Sequence, residues 1–99
     1  MATAKKPQDH KPKFHDISDL FEYTLLCGET VSLPYVENMP NEVIFTLPTL
    51  AENEMTPYLF KTLMSEEDYE TFRTKGVVRD TTGLTEQWQA ESALNLGEL

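Results

Sequence analysis

The chain reads as an α+β domain, mainly α: an N-terminal β-hairpin packed on a small bundle of three to four short helices. Three features point there. Apolar residues alternate with period two on either side of a Gly28-Glu29 turn signal. Beyond Pro34 they recur at helical spacing in successive short runs punctuated by Pro or Gly. The 99 residues, 39% hydrophobic and 10% aromatic, suffice for one folded domain with a thin core.

Residues 1–15 are expected to form a flexible basic arm and residues 16–99 the single domain. Met1 to Lys13 holds no large apolar residue after Met1, so burial cannot offset the entropy of ordering it. Lys5, Lys6, Lys11 and Lys13 against Asp9 give this stretch +3, while the four basic and sixteen acidic side chains beyond it give −12, within a total of −9. An acidic body repels phosphate, which argues against a nucleic-acid partner and permits a basic or amphipathic one.

The hairpin is expected at about 20–34, with Phe21 to Cys27 as its first arm and Thr30 to Leu33 as its second. Phe21, Tyr23 and Leu25 share one face, as do Val31 and Leu33, so a one-sided hairpin lays apolar surface on the helices. Alone it would be marginal. Pro34 lacks a ladder donor and ends the second strand or confines it to an edge.

Helices are expected at about 40–47, 56–64, 65–75 and 84–95. In the first, Asn38 is available as N-cap, Pro40 sits near the opening turn, Val43, Ile44 and Leu47 form the stripe, and Pro48 stops it. In the second, Met55, Leu59 and Leu63 fall at i, i+4 and i+8 beside Phe60 and Met64. An interior proline costs about 3 kcal/mol, so this helix should begin at Pro57 with Thr56 as N-cap. The third opens on Ser65-Glu66-Glu67-Asp68, a capping box in which Ser65 accepts from the backbone and Asp68 reaches back. Its Tyr69 and Phe72 share a face, and Arg73 and Lys75 complement the dipole before Gly76. Gly76 to Gly83 reads as a connection. Asp80 or Thr82 then caps the fourth helix, with Leu84 and Trp88 on one side and Ala90, Ala93 and Leu94 on another.

No stretch carries recognisable catalytic chemistry, and an enzyme is not expected. Cys27 is the sole cysteine, which excludes an internal disulfide and a two-thiolate zinc site and suits a reducing compartment. His10 and His15 lie near Asp9 and Asp16 but without a third ligand on a rigid element, so no metal is expected. The acids Glu66, Glu67, Asp68 and Glu70 lack the loop and glycine of a calcium site and read as a solvated helix face. Neither a glycine-rich phosphate loop nor a nucleophile elbow is present. No cofactor is implied. The apolar runs are too short for a signal-peptide core or a membrane span. What remains is surface, where an excess of aromatic residues marks an interface.

The order of motifs resembles the tail assembly chaperones of long-tailed bacteriophages with non-contractile, siphovirus-type tails. The matching stretches are "G-E-T-V-S-L-P" (Gly28 to Pro34), "M-P-N-E-V" (Met39 to Val43), Leu63-Met64, "S-E-E-D-Y-E-T-F" (Ser65 to Phe72) and "L-T-E-Q-W-Q-A-E-S-A-L-N-L-G-E-L" (Leu84 to Leu99). Trp88 to Glu98 is the most specific part. After Trp88 the family tends to "S-G-x-S-L-G-E-S", whereas this chain lacks the first glycine and ends in leucine; the lysine-rich arm is not a family feature.

The resemblance implies a protein of the host bacterial cytoplasm that binds the helical tape measure protein, keeps it soluble, helps recruit tail tube protein around it, and is absent from the mature virion. It also implies possible partners in a second copy and in a longer form made by ribosomal frameshifting, with "L-G-E-L" closing the short product. Helix-in-groove docking is the expected mode, and Phe45, Tyr58, Val77, Trp88 and Leu94 are the expected partner-binding set. Two alternatives are a structural connector or minor tail protein, and an acidic inhibitor of a host nucleic-acid-binding protein; the second would bind a basic enzyme in a salt-sensitive way.

Overall fold

The alternation along residues 20–34 becomes a two-stranded antiparallel hairpin, β1 (Leu20–Thr24) and β2 (Thr30–Pro34), in the computed structural model, which describes residues 13–99. Its register pairs Phe21 with Leu33 and Tyr23 with Val31, and Phe21, Leu25, Val31 and Leu33 are all buried. The hairpin face is therefore the one the sequence predicts. The first arm is shorter than expected and stops at Thr24 rather than Cys27. Gly28 donates its N–H to the Leu25 carbonyl (2.8 Å) and Leu25 donates to the Glu29 carbonyl (2.7 Å), so residues 25–28 turn. Gly28 takes φ +101°, a left-handed value that suits glycine.

Because Leu25 and Glu29 form a hydrogen-bonded pair, the alternation of an antiparallel ladder points the backbone groups of Ser32 and Pro34 away from β1. Pro34 thus forfeits no ladder bond. The open side of β2 is occupied instead by side chains from two helices. Asp68 accepts the Ser32 N–H at 3.0 Å, and Trp88 donates its Nε1–H to the Pro34 carbonyl at 2.9 Å.

A 3-10 turn (Val36–Asn38) leads to α1 (Asn41–Thr46), and a second 3-10 turn (Leu47–Thr49) follows directly. Pro40 occupies the N-cap of α1 with no side-chain cap, and Asn38 does not act as one. Its amide donates to the His15 carbonyl (3.1 Å) and the Asp16 carbonyl (3.2 Å), tying down the chain before the hairpin. Pro48 does not stop the chain abruptly but sits inside the second turn, where a 3-10 ring tolerates it.

α2 (Glu52–Leu63) begins before Pro57, not at it. Ala51 is the N-cap and has no side-chain acceptor; Glu54 supplies half a box by accepting the Ala51 N–H at 3.0 Å. Pro57 lies in the second turn and omits one bond, to the carbonyl of Asn53, on an exposed stretch that leaves that carbonyl open to solvent. The burial of Leu59, Phe60 and Leu63 outweighs the loss.

α3 (Glu66–Lys75) is capped by Ser65, whose Oγ accepts the Asp68 N–H at 3.1 Å. The reciprocal half of the expected box is absent because the Asp68 carboxylate turns to Ser32 instead. Phe72 of α3 meets Phe60 edge-on at 5.0 Å.

α4 (Val78–Glu91) differs most from expectation, taking in most of the predicted connection and ending before Ala93 and Leu94. Asp80 explains its early start. Asp80, 1% exposed, accepts the Val77 N–H (2.9 Å) at the helix entry and the Leu26 N–H (3.0 Å) from the hairpin loop. Gly83 lies within the helix, and an added Cβ there would run into the Tyr23 hydroxyl, so this glycine allows hairpin and helix to touch. The helix ends where buried Ser92 accepts the Val36 N–H through Oγ (3.0 Å) and Ala93 donates to Glu37 (2.9 Å). A last 3-10 turn spans Leu96–Glu98. Hairpin and helices share one core that includes Phe21, Val43, Phe60, Leu84 and Trp88, so the fold is α+β, mainly α.

Candidate functional site

The apolar stripe of α1 is wider than the core needs. Val43 is buried, whereas Ile44 and Leu47 are only partly covered. Leu47, with Met55, Thr56, Leu59 and Phe60 of α2, Thr85 of α4 and Leu96 of the last turn, lines a hollow of about 280 Å³. Ile44, Leu47, Pro48, Leu96 and Leu99 line a neighbouring hollow of about 190 Å³. Leu47 and Leu96 belong to both, so the two hollows are parts of one trough with these leucines at the divide. Among the described residues, its lining side chains carry no carboxylate, imidazole, amine or thiol, and their polar groups are the Thr56 and Thr85 hydroxyls.

None of the five residues singled out from the sequence lines the trough. Phe45 (71% exposed) and Val77 (51%) are accessible, and Tyr58 and Leu94 are partly buried against the core. Trp88 is a correction. Its indole is fully buried, lies 6.4 Å from the Phe60 ring centroid and spends its N–H on Pro34, so it reaches no partner while the fold is intact. The Leu84 and Trp88 stripe is the inward side of α4, and its aromatic content belongs to the core. Sequence reasoning missed Leu96 and Leu99. The available signal was the leucine pair three apart; that α4 ends at Glu91, before them, is seen only in the structure.

A polar cluster fixes both ends of the domain. The side chain of Glu37 is withdrawn from solvent, accepts the His15 and Ala93 N–H groups at 3.0 and 2.9 Å, and meets His15 Nδ1 at 2.7 Å. Burial alone would raise its pKa, but the hydrogen bonds from the His15 backbone and ring, its own backbone and Ala93 prevail and bring it down to about 2. The His15 ring stacks on Tyr35 at 3.6 Å. His15, the last residue of the expected arm, thus packs on the body; residues 1–12 of that arm lie outside the described residues. The Tyr35 hydroxyl is pushed above its ordinary pKa by burial and by the charges of Glu91, Asp19, Glu37 and Glu22.

Among the described residues, no three His, Cys, Asp or Glu side chains gather as a metal site. His10 lies outside them. Cys27 is free and exposed in the hairpin loop. No helix among the described residues is long and apolar enough to cross a membrane. Comparison with protein-family models, curated proteins and solved structures yields no match.

Proposed function

We propose that this chain is a tail assembly chaperone of long-tailed phages with non-contractile tails. It binds the tape measure protein in the host cytoplasm, keeps it soluble, helps recruit tail tube protein and is left out of the finished virion. It performs no catalytic step. The observation that carries this reading is the apolar trough between α1, α2, α4 and the last turn. A long helical protein waiting for its tube exposes apolar faces that otherwise aggregate, and a trough lined by uncharged side chains covers such a face.

The rest of the molecule fits that task. A body of four basic and sixteen acidic side chains from residue 14 onward disperses the complex by repulsion. The small trough gives affinity low enough for tube subunits to displace the chaperone.

Co-expression with the tape measure protein of the same phage is the test. The chaperone should move the long protein from the pellet to the soluble fraction, and purified virions should contain none of it by mass spectrometry. Unchanged solubility, or a stoichiometric presence in virions, contradicts the proposal.

A further inference from the structure

We infer that the C-terminal turn is an intramolecular stand-in for the partner's helix, and that the partner binds by displacing it; this rests on the trough being the partner site. Leu96–Glu98 form one helical turn, and Leu96 and Leu99, three apart, both face the trough. A helical turn presenting leucines at i and i+3 thus already borders both hollows, with Leu96 between them. That states what the trough accepts: an amphipathic helix with aliphatic side chains three or four apart.

The turn is held lightly. Ser92 and Ala93 are fastened to the body by Val36 and Glu37. Beyond them, among the described residues, the hydrogen bond from the turn to the body is the Leu96 N–H to Gln89 Oε1, at 3.1 Å. The bonds of Asn95 to Glu98 Oε1 (2.9 Å) and of Glu98 to the Asn95 carbonyl (3.0 Å) stay within the turn. Leu96 packs against the core but is only partly buried, and Leu99 is 48% exposed. When the turn leaves, Leu96 no longer divides the two hollows, and a helix longer than one turn lies along the joined trough.

The test uses the full chain and a labelled neutral peptide of Leu, Gln and Ala with leucines at i, i+3, i+4 and i+7, against a control with the same leucines scattered. Binding is read by fluorescence anisotropy. Leu96→Ala should tighten binding by roughly fivefold to thirtyfold, the factor by which a favoured closed state lowers apparent affinity. Gln89→Ala, which keeps both leucines, should tighten it by less. In hydrogen exchange, the wild-type Leu96 amide should lose protection at saturating peptide while those of Leu84 and Trp88 keep theirs. Weaker or unchanged binding by Leu96→Ala, or a Leu96 amide better protected in the complex, makes Leu96 a wall of the site and overturns displacement, leaving the trough as the site. If no version of the chain prefers the ordered peptide to the scattered one, the trough reading falls, and displacement with it.

Discussion

Replacing Gly83 by alanine separates two effects that normally cannot be told apart. Inside a helix, glycine costs about 1 kcal/mol relative to alanine, so the exchange at an unobstructed site stabilises by about that much. At Gly83 the new Cβ meets the Tyr23 hydroxyl well inside contact distance, whereas Cζ and Cε1 of the same ring stand at 3.4 and 3.8 Å. Only the oxygen obstructs. Relieving such overpacking costs about 1–3 kcal/mol, so Gly83→Ala alone should destabilise by about 0–2 kcal/mol. In a Tyr23→Phe background the obstruction is gone, and the same change should stabilise by up to about 1 kcal/mol. The coupling is therefore about 1–3 kcal/mol, readable from urea denaturation of the four proteins. An equal effect of Gly83→Ala in both backgrounds would refute the close contact as the reason for this glycine.

Three further outcomes follow from the packing and charges. Asp80→Ala strands the Leu26 and Val77 amides and should cost about 2–4 kcal/mol in urea melts, with Asp80→Asn costing less because one oxygen acceptor survives. Trp88→Phe should cost about 2–3 kcal/mol through lost packing and an unpaired Pro34 carbonyl; wild-type Trp88 emission should be blue-shifted and shielded from acrylamide, and solvent-like emission would contradict its burial. Glu37 is held down to about 2 from 4.5, so its stabilisation is complete above about pH 4.5 and is lost as pH falls towards 2. After discounting for screening this amounts to about 1–2 kcal/mol, and melts at neutral and acid pH should differ by that much less in Glu37→Gln.

The hairpin face, the burial of Leu59, Phe60 and Leu63, and the shared side of Leu84 and Trp88 were legible because period-two and helical spacing encode them directly, whereas that side of α4 facing the core was not. The serine cap of α3 was legible for the same local reason. What was not legible depended on distant partners. Asp68 reads as the second half of a local box but serves Ser32, and Gly83 reads as a loop residue until Tyr23 stands over it. Pro57 reads as a helix start, since sequence alone does not show how much burial follows it. The trough was hidden because Leu47 and Leu96 meet across nearly half the chain, and no spacing rule links them.

The central claim, that the trough takes an apolar helical face, is tested most directly by placing a photo-crosslinking residue at Met55, on the wall of the larger hollow, in cells that also make the tape measure protein. The account predicts an adduct, mapping on the partner to aliphatic positions three or four apart. An adduct from a crosslinker at exposed Val78 with none from Met55 would contradict it.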